Sequence, residues 1–224
     1  DPEKVRSRHL VSRQEVGRCL AAGGVPVIEF RAAVIVGSGS VSFEMIRHLT
    51  ERLPVMITPM WVNTRCQPIG IRSVLEYLVE ALDHPGAEGI YEIGGQDILS
   101  YREMMMRYAR IRGLHRMIVS FPVPKPELSS RWVGLVTPIP PGIAQPLVES
   151  LQTEVIVRDE QALTTFRVRP TGYDEAVRRA LARLVSDDVE TTWASSLSSL
   201  AQDKPEAHAL GSHEGMLLDR QRRR

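Results

Sequence analysis

Val25-Pro26-Val27-Ile28-Glu29-Phe30-Arg31-Ala32-Ala33-Val34-Ile35-Val36-Gly37 is the stretch that decides the reading of this chain. Its apolar positions are nearly continuous rather than alternating. That pattern predicts a strand buried on both faces, as in a parallel sheet. Upstream, Ser12 stands where a helix cap belongs and Glu15 completes a capping box; Val16, Cys19 and Leu20 share one face, and Gly23-Gly24 ends the helix. Downstream, Gly37-Ser38-Gly39-Ser40 is a loop, followed by a helix with Phe43, Ile46, Leu49 and Leu53 on one face and Pro54 as its stop.

The alternation continues. Val55 to Thr58 reads as a short strand, and Pro59 to Pro68 as an irregular stretch carrying Trp61, Cys66 and Gln67. A helix from about Arg72 to Leu82 is expected to turn Val74, Leu75, Leu78, Val79 and Leu82 inward. Ile90 to Ile93 is another buried strand, closed by Gly94-Gly95. Ser100 and Glu103 form a second capping box, ahead of an apolar stripe of Met104, Met105, Tyr108 and Ile111. Met117 to Phe121 reads as a strand, and two proline-rich connections follow, with Trp132 and Leu135 on a short helix between them. Val155 to Val157 is a last strand, Asp159 to Phe166 a turn or two of helix, and Thr171 or Gly172 opens a final helix with Val177, Leu181 and Leu184 inward. Short strands alternating with helices of ten or so residues make βα units, so the expected fold class is α/β.

Composition bounds the function. Of 224 residues, 43% are hydrophobic and 25% charged, ordinary globular usage that excludes wholesale disorder. No run approaches the ~18 apolar residues of a membrane-crossing helix, and the charged N-terminus has no apolar signal core. A cytoplasmic location follows as the expectation, with peripheral membrane association left open. Basic residues number 28 and acidic ones 27, which is not the balance of a nucleic-acid-binding protein. Only Lys4, Lys125 and Lys204 are lysines, a bias that fits a genome favouring arginine codons. Cys19 and Cys66 provide no disulfide framework, and the six histidines are scattered, so no metal site is expected. Cys19 reads as a core residue and Cys66 as a loop thiol. Neither end looks natural: there is no initiator methionine, and Arg222-Arg223-Arg224 stops without a turn, so a fragment of a longer chain is expected.

There is no G-x-G-x-x-G, no phosphate-binding G-x-x-x-x-G-K-[ST] and no G-x-S-x-G elbow. Gly37-Ser38-Gly39 has two readings: a small backbone nest for an anion, or a tight turn into a helix.

Taken together, Ser12-Arg13-Gln14-Glu15, the Val25–Gly37 stretch, and Tyr91-Glu92-Ile93-Gly94-Gly95 followed by Ser100-Tyr101-Arg102-Glu103 resemble the second half of an extended or atypical short-chain dehydrogenase/reductase, an epimerase/dehydratase-like family. The resemblance runs from about residue 8 to 183. It is closest to the branch similar to the nucleotide-binding accessory subunit of respiratory complex I. It implies the C-terminal portion of a doubly wound Rossmann domain with a small substrate lobe, its N-terminal strands and phosphate-binding loop lying before residue 1. It also implies NAD or NADP as cofactor, the choice between them being read in a second strand outside this sequence. The implied domain division is 1–185 for the reductase-like part and 186–224 for a linker and the entry to a further domain. In that tail, Trp193, Leu197 and Gly215-Met216-Leu217-Leu218-Asp219-Arg220 resemble the start of a START-like domain of unknown function.

The same resemblance places the site. Where the family carries a catalytic Tyr-x-x-x-Lys, this chain has His9 and Arg13. Imidazole exchanges protons near neutral pH, while a planar guanidinium differs from a lysine point charge. Arg31, Ala32, Ala33 and Val34 replace the Arg-Pro segment that runs beside the nicotinamide, so with Arg13 they are the expected cofactor contacts. Gly37, Ser38, Phe43, Trp61 and Gln67 are the expected substrate contacts, although Trp61 and Tyr91 also read as core aromatics. Gln67-Pro68-Ile69-Gly70-Ile71-Arg72 stands where the family's His-Val-x-Asp would be, and that motif is lost. Two functions follow: hydride transfer to a small carbonyl or quinone-like substrate, or a non-catalytic NAD(P)-binding module that senses redox state or supports an assembly. An apolar strand exposed without its sheet neighbours predicts a chain that is unstable or self-associating on its own.

Overall fold

A computed structural model describes residues 8–121 and 150–185. The fold is α/β, built from parallel strand pairs that are separated in sequence by helices. Helix α1 (Arg8–Ala21) leads into β1 (Ile28–Ala32) and the two-residue β2 (Ile35–Val36). Helix α2 (Val41–Arg52), β3 (Val55–Pro59), a 3-10 turn (Met60–Asn63), β4 (Arg65–Cys66) and β5 (Ile69–Gly70) follow. Then come α3 (Ile71–Leu82), β6 (Gly89–Ile93), β7 (Leu99–Ser100), α4 (Tyr101–Ile111) and β8 (Met117–Phe121). After the undescribed stretch come α5 (Gln161–Thr165) and α6 (Tyr173–Val185).

Three pairings are parallel: β1 with β6, β2 with β5, and β3 with β8; β4 pairs antiparallel with β7. Two cores result. One joins α2, α4 and α6 over β2, β3 and β8, around Phe43, Leu49, Met56, Met104 and Tyr108. The other lies on one face of β1 and β6, where Phe30, Tyr77, Tyr91 and Phe166 meet as tilted and edge-on rings with centroids 5.0–6.1 Å apart.

Several expectations are corrected. The Val25–Val36 strand is not continuous: the chain breaks at Ala33-Val34, and its halves pair with different partners, β6 and β5. Helix α1 starts at Arg8, so Ser12 is inside it rather than its cap. Glu15 instead pairs with Arg18 at 2.5 Å and accepts from the Cys19 thiol at 3.9 Å. Val16, Cys19 and Leu20 are exposed, because α1 turns the face of Leu10, Gln14 and Gly17 toward the body. Helix α3 is turned by about a third of a revolution from expectation. Ser73 and Tyr77 face the core, while Leu75, Leu78, Val79 and Leu82 face outward, Leu82 at 81% exposure. Tyr77 and Ser73 fix that rotation: the ring fills the aromatic core, and the Ser73 hydroxyl accepts the Thr171 N–H at 3.4 Å. Val155 makes one isolated parallel bridge to Cys66 rather than a strand. Cys66 is buried beside Tyr101, and its thiol is pushed up to about 12, by burial first. The proline-rich connections with Trp132 and Leu135, the Leu184 side chain and the tail from Ser186 lie outside the described residues.

The second capping box is present in full. Ser100 Oγ accepts the Glu103 N–H at 3.2 Å, and Glu103 Oε2 accepts the Ser100 N–H at 2.7 Å. These bonds, the backbone one foremost, hold the Glu103 carboxyl below its ordinary range. Replacing Ser100 by Ala should cost about 1 kcal/mol in urea unfolding; an unchanged midpoint would show that packing alone holds this helix end. On α2, burial first and the Arg47 charge second hold His48 below its ordinary 6.5, with Glu44 Oε2 3.5 Å away opposing them. The unfolded imidazole then binds a proton more readily than the folded one. Stability should therefore be full above 6.5 and fall as pH drops below it. Unfolding at pH 7.5 and 5.5, compared between wild type and His48→Gln, should show a shallower loss in the variant.

Candidate functional site

The carboxyl end of β1 is where an open α/β sheet presents its ligands. Residues alternate across this strand. Phe30 points into the aromatic core, and Glu29 and Arg31 point to the opposite face, toward α1. There Arg31 Nε donates to Glu29 Oε1 at 2.7 Å. Helix α1 crosses this pair at Gly17, where a Cβ would lie 2.2 Å from Glu29 Oε2, so any larger residue would displace the carboxylate from its present position. A cleft of about 670 Å³ opens beside this contact toward the amino ends of β1 and β6, lined by Gly17, Arg18, Val25, Glu29, Arg31 and Gly89 among others.

Past Arg31 the chain turns small. Ala32 and Ala33 are half-buried and carry no side chain beyond Cβ. The Val34 carbonyl accepts the Ile69 N–H at 2.9 Å, tying the end of this segment to β5. Gly37 then passes under α3, where a Cβ would lie 2.7 Å from Ile71 Cγ2. The Gly37–Ser40 loop is a hydrogen-bonded turn: Ser40 N–H donates to the Gly37 carbonyl at 3.2 Å, Gly39 has φ +78°, and Ser40 Oγ donates to the Ile35 carbonyl at 2.7 Å. Of the two sequence readings, the turn into a helix is the one seen. Ser38 is half-buried in it.

Gln67 sits behind this segment, at the junction of β4, β5 and β6. Its Nε2 donates to the Gly95 carbonyl at 2.8 Å, and its Oε1 accepts the Val157 N–H at 3.0 Å. Its own N–H donates to the Val155 carbonyl at 2.9 Å. The Gly94-Gly95 pair is what permits this: a Cβ on Gly94 would lie 2.7 Å from the Gln67 side chain, and one on Gly95 2.3 Å from the Pro68 carbonyl oxygen.

The expected site residues fall in separate places. His9 stands one helical turn before Arg13 on α1; Arg13 is exposed, and the His9 side chain lies outside the described residues. Arg31, Ala32, Ala33, Val34, Gly37 and Ser38 form one continuous run. Phe43 is fully buried, 6.0 Å from the Tyr108 ring. Trp61 is 7% exposed, edge-on to Tyr101 at 5.9 Å, and its indole N–H is buried without a protein partner. Sequence reasoning missed Glu29 and Gly17. The i, i+2 spacing of Glu29 and Arg31 in an apolar strand was the available signal, since it puts both charges on one face.

Solved structures are similar to this chain in fold. The enzyme WbmH of Bordetella bronchiseptica in complex with NAD+ is 17% identical, covering 83% of this chain and 54% of that one at a TM-score of 0.56. RMD from Pseudomonas aeruginosa, complexed with NADPH, is 13% identical over 75% of this chain and 51% of that one, at 0.50. UDP-glucuronic acid 4-epimerase from Bacillus cereus, in complex with NAD, is 12% identical over 81% and 51%, at 0.51. The fold is Rossmann-type. The chain spans about half the length of the solved structures it matches. No family model and no curated protein matches the sequence. Among the described residues, no helix is long and apolar enough to cross a membrane.

Replacing Gln67 by Leu should leave the Gly95 carbonyl and the Val157 N–H without their partner. A loss of about 1–3 kcal/mol in urea unfolding is expected from part-buried groups of this kind. A variant as stable as wild type would leave the amide available for a ligand instead.

Proposed function

We propose that this chain contributes the nicotinamide-side part of an NAD(P)-binding site of the short-chain dehydrogenase/reductase type. The observation that carries the reading is the parallel β1–β6 pair between α1 and α3, matched to Rossmann structures that hold NAD+ or NADPH.

The residues at the carboxyl end of β1 fit such a group. Ala32 and Ala33 leave backbone that a flat ring can approach, and exposed Arg13 has donors for ribose hydroxyls. Arg31 serves differently. Its guanidinium is committed to Glu29, so it shapes the strand's α1 face and is not the cofactor's counter-charge. His9, one turn from Arg13, is the residue to carry a proton in place of the family's tyrosine. When bound, the nicotinamide supplies hydride transfer, and a small carbonyl or quinone-like compound is the substrate class. Gly37 and Ser38 are its nearest candidate contacts.

A specific observation supports a second reading, a non-catalytic NAD(P)-binding module acting as redox sensor or assembly subunit. Phe43 and Trp61 are core residues and the Gln67 amide is spent on backbone, so three of the five expected substrate contacts are engaged within the fold.

Calorimetric titration of NADH and NADPH into the full gene product should give saturable 1:1 binding, and Arg13→Ala should weaken it about tenfold, the worth of a charge-assisted hydrogen bond. A carbonyl and quinone panel then separates the readings. Turnover lost in His9→Ala with binding kept is the enzyme; binding without turnover is the module. Absence of binding overturns both.

A further inference from the structure

We propose that the outer face of the β3–β8 pair is a docking surface for an anionic lipid bilayer. The inference is independent of cofactor binding. Side chains alternate across both strands. Met56 and Ile118 point inward and are buried in the core of α2, α4 and α6. Val55 and Ile57 of β3, with Met117, Val119 and Phe121 of β8, point the other way. The parallel register sets them side by side, Val55 against Met117, Ile57 against Val119 and Pro59 against Phe121. These five apolar side chains are 47–64% exposed, and Met60, which follows Pro59, is 54% exposed. The patch is on the order of 500 Å², the upper end of what a monomer leaves in water. Parallel strands are ordinarily covered on both faces, so this face asks for a cover.

The chemistry of the face selects the cover. None of these side chains donates or accepts a hydrogen bond in the ordinary sense, whereas protein interfaces carry about one hydrogen bond for each 100–200 Å². Hydrocarbon needs none. The border at the amino ends of the two strands is basic. Arg52 is exposed at the end of α2, and His115-Arg116 lead directly into β8. Arg116 donates to the carbonyls of Thr50, Glu51 and His115 at 2.5, 3.0 and 2.9 Å, acceptors that carry no formal charge. The Glu51 carboxylate at this end is shared among Arg47, Arg112 and the Tyr108 hydroxyl. Guanidinium groups suit phosphate because their planar donors engage two oxygens at once.

Apolar side chains beside arginine seat a protein at the boundary of head groups and acyl chains. The seating is shallow. Among the described residues, β3 and β8 pair only with each other, so the outer backbone edges of both strands still need water. The face therefore lies on the bilayer, with Met60 and Phe121 entering the acyl boundary and the arginines at head-group level.

Co-sedimentation of the full gene product with vesicles tests this. Binding to vesicles of phosphatidylglycerol and phosphatidylcholine in equal parts should be at least about tenfold tighter than to phosphatidylcholine alone, and should weaken as salt is raised. The paired change Ile57→Ser with Val119→Ser should weaken it about tenfold or more. Its urea midpoint should stay that of wild type, because both side chains face outward. The thiol introduced by Ile57→Cys should react with a water-soluble maleimide in buffer and be protected by the mixed vesicles, as read on that peptide by mass spectrometry. A thiol unreactive in buffer means that another part of the gene product, or a second copy, covers the face, and overturns the proposal. So do equal binding to the two kinds of vesicle, binding that survives the paired change, and no binding at all. NADH enters none of these readouts, so the cofactor reading stands or falls separately.

Discussion

The carboxamide of Gln67 ties together three segments of the chain where β4, β5 and β6 meet. One side chain reaches the end of β6 through the Gly95 carbonyl and the returning segment through the Val157 N–H. It lies between the core of α2, α4 and α6 and the aromatic core of β1 and β6. Both contacts are to backbone, so they fix the path of the chain rather than the position of another side chain. An amide serves here because it donates and accepts at once. The cost falls on the neighbouring residues: Gly94 and Gly95 have no room for a Cβ, and Pro68 delivers the carbonyl that accepts the Gly95 N–H at 3.0 Å.

The helices on the two sides of this joint each depart from a simple rule of apolar inside and polar outside, in different ways. Helix α2 buries Phe43, Met45, Ile46 and Leu49, and it covers a carboxylate along with them. Glu44 is 6% exposed, receives Arg47 Nη2 at 2.6 Å, and keeps its Oε1 buried without a partner; Glu51 accepts from the Tyr108 hydroxyl at 2.5 Å. On α3 the apolar stripe is the uncovered one. Burying a carboxylate beside an arginine is a weak source of stability, and exposing a row of leucines forgoes about 25 cal/mol for each Å² left in water. The ion-pair network gives α2 a fixed orientation against α4. The stripe on α3 gives the molecule a surface whose burial is still to be gained.

Much of the fold was legible. Where a local rule and the tertiary packing agree, as in the Ser100–Glu103 box or the Met104, Met105 and Tyr108 stripe, the sequence signal and the structure coincide. The Gly37–Ser40 turn and the Met117–Phe121 strand belong with them. The misreadings share one cause. Periodicity says which residues of a helix lie on one face, but not which face meets the core. In α3, Tyr77 and Ser73 take the core-facing positions because the Tyr77 ring fills the aromatic core; Val74 packs beside it, while Leu75, Leu78, Val79 and Leu82 face outward. In the Val25–Val36 segment, an unbroken apolar run conceals a change of strand partner, because pairing is a property of the partners and not of the run. Of the candidate site, the run Arg31–Ser38 was legible as a unit. The Glu29–Arg31 pair on Gly17 was not, because a lone glycine in a helix carries no label for what crosses it.

The position of that pair bears on how the site works. A charged pair on the helix-facing side of a strand is costly unless the helix leaves room and the pair is complete. Gly17 leaves the room, and Arg31 completes Glu29 at 2.7 Å. Arg13, by contrast, stands one helical turn nearer the start of α1 and is exposed. The two arginines that sequence reasoning grouped as cofactor contacts are therefore electrostatically different: one is paired with its strand neighbour, while the other is exposed to solvent. Under the reading proposed above, any hydrogen bonding to a ligand by these two side chains therefore falls to Arg13, because Arg31 is already paired.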